Sequence, residues 1–329
     1  MPPPVPPQPQ PPPPPVFSMA DLPSLRQLHY LVAVAELRHF TRAAAACSVT
    51  QPTLSAGIAE LESLLGARLL ERDRSQVLLT PLGAEVAQRA QALLRAAHDL
   101  RDHVRSQSAP LATTVRLGAI PTIAPFVLPQ MIQQIRQQHR QLRVVPREDT
   151  SAQLVERLRD GRIDAAILAL PYPLAGLEVA AIAEDELVLA VAQGDEHGAD
   201  GRLQPQKLLL LEEGHCLRDH TLVACSGAAL APQPQGNVEA SSLLTLLQLV
   251  SSGFGSALIP AMALGHGLVE AAGLQLRRLV PAPSRGIALV WRPTYPRPAV
   301  VAALRESLTL ALERGAAVRP AESAMDTAE

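Results

Sequence analysis

Residues 40–55 read FTRAAAACSVTQPTLS, and this stretch decides the fold of the N-terminal part of the chain. Phe40 to Cys47 is rich in alanine, the residue that most favours a helix, and Ser48-Val49 follows it as a turn. Thr50 can cap a second helix that carries Pro52 in its first turn, where a missing N–H group costs nothing. Two helices joined by so tight a turn predict a helix-turn-helix motif.

The segments on either side extend this motif to a winged helix-turn-helix over residues 21–83. Upstream, apolar residues between Leu25 and Ala35 recur at helical spacing, which predicts a preceding helix. Downstream of Gly66, the stretch from Leu69 to Thr80 has the pattern of a β-hairpin, the wing. Residues 21–83 contain six arginines and six acidic residues, so their net charge is zero. A plain helical bundle with a polar surface is therefore the alternative, since most DNA-binding modules are basic.

The candidate DNA contacts lie in the two helices of the motif and on the wing. Side chains at the N-terminal end of the second helix would reach base edges and phosphates in the major groove, and wing arginines would lie along the phosphate backbone. These positions are Arg42, Gln51, Pro52, Thr53, Ser55, Arg72 and Arg74. The opposite face of the second helix is apolar and should be buried; its residues are Leu54, Ile58, Leu61 and Leu65.

The whole N-terminal unit resembles the winged helix-turn-helix of LysR-type regulators. The matching segments are Phe40–Ala44, Gln51–Ser55, Leu69–Arg72 and Thr80–Gly83. This resemblance favours DNA binding over the plain bundle and implies double-stranded DNA as a partner. An activator of this family would also contact RNA polymerase.

Residues 84–110 are predicted to form a linker and dimerisation helix. Apolar residues recur there at near-heptad spacing: Val86, Ala90, Leu93, Leu94, Ala97, Leu100 and Val104. Such a helix has no core of its own, so its apolar seam should pair with a second copy. We therefore expect a homodimer that binds a dyad-symmetric operator, with a tetramer as the larger assembly.

Strand and helix patterns alternate over residues 111–314, which places the chain in the α/β class. Alternation of this kind predicts a parallel sheet covered by helices on both faces. We expect two α/β subdomains with a cleft between them, a periplasmic-binding-protein-like regulatory domain that the LysR resemblance also implies. Residues 1–20, which are rich in proline and include Met19 as an alternative start to Met1, and residues 315–329 are predicted to be disordered tails.

Two of the three cysteines lie in residues 211–225, which read LEEGHCLRDHTLVAC. If a helix begins at Cys216, the nine-residue gap to Cys225 separates the two by half a turn and about 13 Å. A disulfide needs Cα atoms within about 7 Å, so the two can pair only if the helix unwinds. Cytosolic thiols are normally kept reduced, so this pair favours a transient redox role. The third cysteine, Cys47, is expected to be a small core residue.

The motif GHCLRD at residues 214–219, followed by a second cysteine at this spacing, resembles the sensing segment of the peroxide-responsive OxyR type of LysR regulators. The resemblance implies that Cys216 reacts with hydrogen peroxide and that Cys225 resolves the product as a reversible disulfide. It also implies that Thr122 and Thr150 hold peroxide by hydrogen bonds and that Arg285 approaches the reactive cysteine. Thioredoxin or glutaredoxin would then reduce the disulfide.

The chemistry of this site requires a thiolate, which an ordinary cysteine with a pKa of about 8.5 rarely provides at neutral pH. We expect the positive end of the helix dipole and Arg285 to depress the pKa of Cys216. Asp219 should cap the helix and fix the loop, and His215 should either donate to peroxide or orient the loop. Asn237 stands where the OxyR-type pattern has a histidine, and we expect neither a cofactor nor a metal ion.

Three other functions fit parts of the sequence. His215, Cys216, His220 and Cys225 could surround zinc or copper in a metal sensor. A LysR-type regulator could instead bind a small organic effector in the cleft, and a peroxidase enzyme would consume peroxide steadily with thioredoxin. Because a helix-turn-helix indicates a DNA-binding regulator rather than a protein that consumes peroxide steadily, we do not expect the chain to be an enzyme. The net charge of −2 and the lack of a membrane-length apolar run predict a cytoplasmic protein with no membrane partner.

Overall fold

The computed structural model describes residues 22–72, 77–204, 207–225, 239–314 and 318–320. Predictions about residues 1–20, including Met19, and about Arg74 and Asn237 fall outside these ranges. The chain forms two compact units, Met1–Ala97 and His98–Glu329. No helix in the described ranges has the length and apolar character needed to cross a bilayer.

The N-terminal unit contains the predicted helix-turn-helix and wing. Its elements are α1 (Leu25–Leu37), α2 (Phe40–Ala46), α3 (Gln51–Leu65), β1 (Leu70–Arg72), β2 (Val77–Leu79) and the first part of α4 (Pro81–Ser108). The Thr50 side chain accepts a hydrogen bond from the Thr53 amide and so caps α3, as predicted. A Cβ atom at Gly57 would lie 2.8 Å from the Tyr30 ring, so glycine lets α1 and α3 approach closely.

The apolar face of α3 packs into the core of this unit. Leu54, Ile58 and Leu61 are fully buried, whereas Leu65 in the last turn is 41% exposed, so its predicted burial is wrong. Helix α4 is 28 residues long and begins three residues before the predicted linker. Three of its apolar residues are largely exposed in the single chain: Leu93, Leu100 and Val104. These are seam residues of the predicted dimerisation helix, and the dimer itself stays a prediction.

The C-terminal unit is an α/β domain. Its strands are β3 (Thr113–Ala119), β4 (Leu142–Glu148), β5 (Ala165–Leu170), β6 (Glu178–Val191), β7 (Leu210–Leu211), β8 (Glu239–Ala240), β9 (Ala257–Pro260), β10 (Gln275–Arg277), β11 (Ser284–Trp291) and β12 (Val318–Pro320). Its helices are α5 (Ala124–Gln138), α6 (Ser151–Arg159), α7 (Cys216–Cys225), α8 (Leu243–Ser251), α9 (Leu268–Ala271) and α10 (Pro298–Arg314), with a short 3₁₀ turn at Ala261–Ala263.

The main sheet is mixed, so the prediction of a parallel sheet is wrong. Its strand order is β10-β6-β11-β5-β3-β4, and only β3 pairs in parallel, with β4 and β5. Strand β11 runs antiparallel to both β5 and β6. It follows the second half of the domain in the chain and lies between these two earlier strands in the sheet. Strand β6 is 14 residues long since its first part pairs with β11 and its last part with β9 and β10. Strands β6 and β11 connect the two α/β halves.

The predicted disordered tail from residue 315 also needs a correction. Val318–Pro320 forms strand β12, which pairs antiparallel with Ala183–Asp185 of β6. Backbone groups of β6 pair with this segment, a contact that composition alone does not reveal. The rest of the tail lies outside the described residues.

Candidate functional site

Helix α7 carries the two predicted sensing thiols, one at each end. It begins at Cys216 and ends at Cys225, and both side chains are buried with free thiols. Nine residues of α-helix place their Cα atoms about 13 Å apart. The two cysteines therefore cannot form a disulfide in this conformation.

Cys216 lies in a narrow cleft at the ends of two neighbouring parallel strands. The turn after β3 contributes Thr122, the start of α6 contributes Thr150, and the loop before α7 contributes His215. Strands β3 and β4 end at the same edge of the sheet, so the segments that follow them meet there. The structure thus brings four predicted site residues together, and the cleft they enclose is too tight to hold a water molecule.

Arg285 stands behind this cleft, fully buried. Its Nη1 donates to Thr122 Oγ1 at 2.8 Å and its Nη2 donates to the Thr122 carbonyl at 3.1 Å. Its Nε donates to Asp185 Oδ2 at 3.0 Å. Thr122 Oγ1 therefore accepts from Arg285 and keeps its own hydroxyl proton for a ligand in the cleft.

The pKa of Cys216 shifts opposite to expectation. Burial raises the pKa of the Cys216 thiol, and the Arg285 charge and the Ser151 hydroxyl lower it by less. The sequence predicts the cation but not the depth of burial, which decides the sign. Cys216 is consequently a protonated thiol at rest, and its ionisation belongs to the reaction.

Ser151 is a site residue that the sequence analysis missed. It is the first residue of α6, it is 1% exposed, and its hydroxyl lies at the cleft and favours the Cys216 thiolate. Its Oγ has no hydrogen-bond partner among the described residues, and it lowers the pKa of Cys216 as a hydrogen-bond donor to the thiolate. Its place next to Thr150 was the only available signal.

Asp219 does not cap α7 as predicted. No hydrogen bond joins its carboxylate to the helix amides in the described part of the chain, and the side chain is exposed. Its negative charge instead raises the pKa of Cys216 and that of Tyr172. Arg218 points away from the thiol, and its Nη1 donates to the Leu211 carbonyl and to Glu239 Oε1 at 2.9 and 2.6 Å.

Cys225 and Cys47 lie in apolar surroundings. Burial raises the pKa of Cys225 to about 11 and also raises the pKa of Cys47. Neither thiol is activated by its environment. Cys225 can therefore act only after the fold around it changes, and half-buried Cys47 fits its predicted packing role.

The proposed metal ligands do not converge. Within the described ranges, no three His, Cys, Asp or Glu side chains gather as a metal site would require. His220 Nε2 lies 3.4 Å from the Pro171 carbonyl, and burial lowers the pKa of His220. It therefore belongs to the packing of α7.

The predicted DNA-binding residues occupy the exposed face of the helix-turn-helix. Arg42, Gln51, Pro52 and Thr53 are exposed and Ser55 is half-buried, while the side chain of Arg72 lies outside the described part. Thr41 Oγ1 donates to Gln51 Oε1 at 3.0 Å, a contact that the sequence analysis missed. This bond uses the Gln51 amide oxygen and leaves the NH₂ group as the donor side of the amide.

Two family models match the chain in the order of its two units. Residues 25–84 match the bacterial regulatory helix-turn-helix protein of the lysR family, and residues 108–312 match the LysR substrate binding domain. The first covers the described helix-turn-helix and wing. The second covers the cleft and both thiols of α7.

Similar proteins include regulators with different names. The HTH-type transcriptional regulator EstR of Acinetobacter baylyi is 46% identical over 84% of this chain and 93% of its own length. A probable hydrogen peroxide-inducible genes activator of Streptomyces viridosporus is 38% identical over 87% of this chain and 95% of its own. Among solved structures, a full-length OxyR cysteine variant from Pseudomonas aeruginosa aligns with a TM-score of 0.71 and 33% identity, covering 87% of this chain and 95% of that one.

Proposed function

The chain belongs to the LysR family of helix-turn-helix transcriptional regulators, and from that premise we propose that it is a peroxide-sensing activator of oxidative-stress genes. One observation carries the proposal: buried Cys216 shares a cleft with Thr122 and Thr150, and Arg285 stands directly behind it. The name of the Streptomyces relative supports the same function, and the EstR name leaves the signal open.

The cleft residues suit the first step of peroxide reduction. Cys216 loses its proton and its sulfur attacks one peroxide oxygen, so that the O–O bond breaks and the second oxygen leaves as water. The sulfur gives up two electrons and becomes a sulfenic acid. The hydroxyls of Thr122 and Thr150 would hold peroxide, His215 would donate to the leaving oxygen, and Arg285 would stabilise the thiolate.

Cys225 would complete the switch. Its thiol condenses with the Cys216 sulfenic acid, a second water leaves, and a disulfide forms. Thioredoxin or glutaredoxin would return both thiols by dithiol exchange. Because the two ends of α7 are about 13 Å apart, this step changes the fold and gives the regulatory domain a second state.

The organic-effector alternative fits this cleft poorly. Effector pockets have volumes of roughly 300–1,000 Å³, whereas the cleft around Cys216 has no room for water. Peroxide is two oxygen atoms long, and small side-chain movements can admit it. Of the two ligands, peroxide requires the smaller opening of this cleft.

The regulator would act as a homodimer or tetramer on a dyad-symmetric operator in the cytoplasm. Paired α4 helices would bury the exposed seam of Leu93, Leu100 and Val104. The oxidised form would then recruit RNA polymerase.

Peroxide treatment is expected to remove two hydrogen atoms, about 2 Da, across the peptides that contain Cys216 and Cys225. Mass spectrometry of the full chain after a brief exposure, with and without prior reduction, measures this loss. Cys47→Ser is the matched control, since it removes a thiol without touching α7. A stoichiometric metal ion on the purified protein, with no mass loss, would instead favour the metal sensor.

Gln51→Ala is expected to weaken binding to the operator by about 1–3 kcal/mol and to leave binding to random DNA nearly unchanged, because a neutral amide reads bases. Arg42→Ala should weaken both and reduce the salt slope by about one. Fluorescence anisotropy at several salt concentrations separates the two effects. Gln88→Ala, on the exposed face of α4, is the control, and equal losses at Gln51 and Gln88 would exclude base reading by α3.

A further inference from the structure

Arg285 forms a fully buried ion pair with Asp185, a residue with no role in the proposed reaction so far. The two residues face each other directly in the β11–β6 ladder, and both side chains are 0% exposed. Arg285 Nε donates to Asp185 Oδ2, while the other end of the guanidinium donates to Thr122. The cation is therefore held between a carboxylate and the wall of the cleft.

The carboxylate is itself fixed at both oxygens. Asp185 Oδ1 accepts from the Met262 amide at 3.0 Å, and Oδ2 accepts from Arg285. Burial raises the pKa of Asp185, and Arg285 and the Met262 amide oppose this shift. Each oxygen accepts from a donor and the Arg285 charge lies beside it, so this geometry favours the carboxylate.

Two anions thus share one cation: the permanent Asp185 carboxylate and the Cys216 thiolate that forms during the reaction. We propose that Asp185 is a positioning residue that sets the peroxide sensitivity of Cys216 by fixing Arg285 behind Thr122 and offsetting part of its charge. This inference rests on the proposed function and deepens it. Asp185 would keep the Cys216 thiol protonated until peroxide enters the cleft.

The other charged and titratable groups near Cys216 leave Arg285 as the cation that matters. Helix α7 contributes Asp219, whose charge opposes the thiolate, and His220, whose pKa is lowered by burial and by Arg285. Tyr172, after β5, has a raised pKa and is neutral. Of these groups only Arg285 favours the thiolate by its charge. Removing the Asp185 charge, which offsets part of that of Arg285, should therefore change the pKa of Cys216 directly.

Asp185→Asn is expected to lower the apparent pKa of Cys216 by about one unit, a tenfold rise in thiolate below that pKa. Removing the carboxylate charge leaves a buried cation that the thiolate then neutralises. The rate of iodoacetamide alkylation at Cys216 against pH gives the pKa without using peroxide. Glu184→Gln is the matched control, since it removes the same charge from the exposed neighbouring position of β6.

A double variant tests whether Asp185 acts through Arg285. In Arg285→Met protein, adding Asp185→Asn should leave the alkylation profile unchanged, because the residue that transmits the effect is gone. Replacing both members of a buried pair is also gentler on folding than removing one. An unchanged or higher pKa of Cys216 in folded Asp185→Asn protein would overturn the proposal.

Arg285→Lys serves if Asp185→Asn does not fold. Lysine keeps the charge but lacks the planar fork with which Arg285 reaches Asp185 and Thr122 from separate nitrogens, so the pKa of Cys216 should rise and alkylation at pH 7 should slow. An unchanged profile would show that the cation's position is immaterial and would refute the inference. Peroxide rates are measured in parallel: if no variant forms sulfenate while the alkylation profiles shift as expected, the proposed function fails, and only the effect of Asp185 on the pKa of Cys216 stands.

Discussion

Cys216→Ser is expected to abolish the peroxide response of this regulator completely, with no sulfenic acid, no disulfide and no peroxide-dependent transcription. A serine hydroxyl does not ionise near neutral pH and does not cleave the O–O bond, so no slower route remains at this position. Operator binding by the reduced form should be unchanged, because the helix-turn-helix belongs to a separate compact unit. A sulfenic-acid probe, a promoter reporter and an operator-binding assay measure the three properties.

Two companion variants define this result. Cys225→Ser should still form the sulfenic acid and accumulate it, because the resolving thiol is missing. Cys47→Ser should respond like the wild type, since Cys47 belongs to the helix-turn-helix. A full transcriptional response in Cys216→Ser protein would disprove thiol sensing and would favour a regulator that binds an organic effector.

The helix-turn-helix could be predicted in detail because its signals are local. A capping threonine, a proline in the first turn and an alanine-rich helix each act within a few residues, so the bounds of α2 and the start of α3 fall within a residue of expectation. The start of α7 at Cys216 also matches the expectation, whereas its end at Cys225 was not predicted. Sheet topology depends on distant pairing, so the antiparallel insertion of β11 and the length of β6 were not predictable from periodicity.

The candidate site was predictable as a set of residues but not as an electrostatic environment. The motif around Cys216 and the strand-end threonines pointed to residues that the structure brings together in one cleft. The direction of the pKa shift at Cys216 depends on how many atoms surround the sulfur, which no motif contains. Ser151 and Asp185 were missed for a related reason: a serine at a helix start and an acid in a strand are common, and only tertiary contacts distinguish these two.

Disulfide formation is expected to unfold α7 and to separate β7 from β8. Bringing two Cα atoms from about 13 Å to within about 7 Å cannot be done by side-chain rotation, so the helical hydrogen bonds must break. Arg218 would then lose its bonds to the Leu211 carbonyl and to Glu239, which join α7 to the β7–β8 pair. Removing Leu217 from the core costs about 2 kcal/mol more, a cost that a two-electron oxidation by peroxide exceeds.

Hydrogen exchange followed by mass spectrometry measures this change directly. Amides of α7 and of β7–β8 should exchange about a hundredfold faster in the oxidised protein, while β3 and β5 should keep their protection, because they lie in the half of the domain that holds no cysteine. Cys225→Ser treated with peroxide is the control, since it is oxidised at sulfur without a disulfide and should retain α7. If the disulfide forms while α7 stays protected, the oxidised state would have to be reached by a movement of other elements, and α7 would not be the switch.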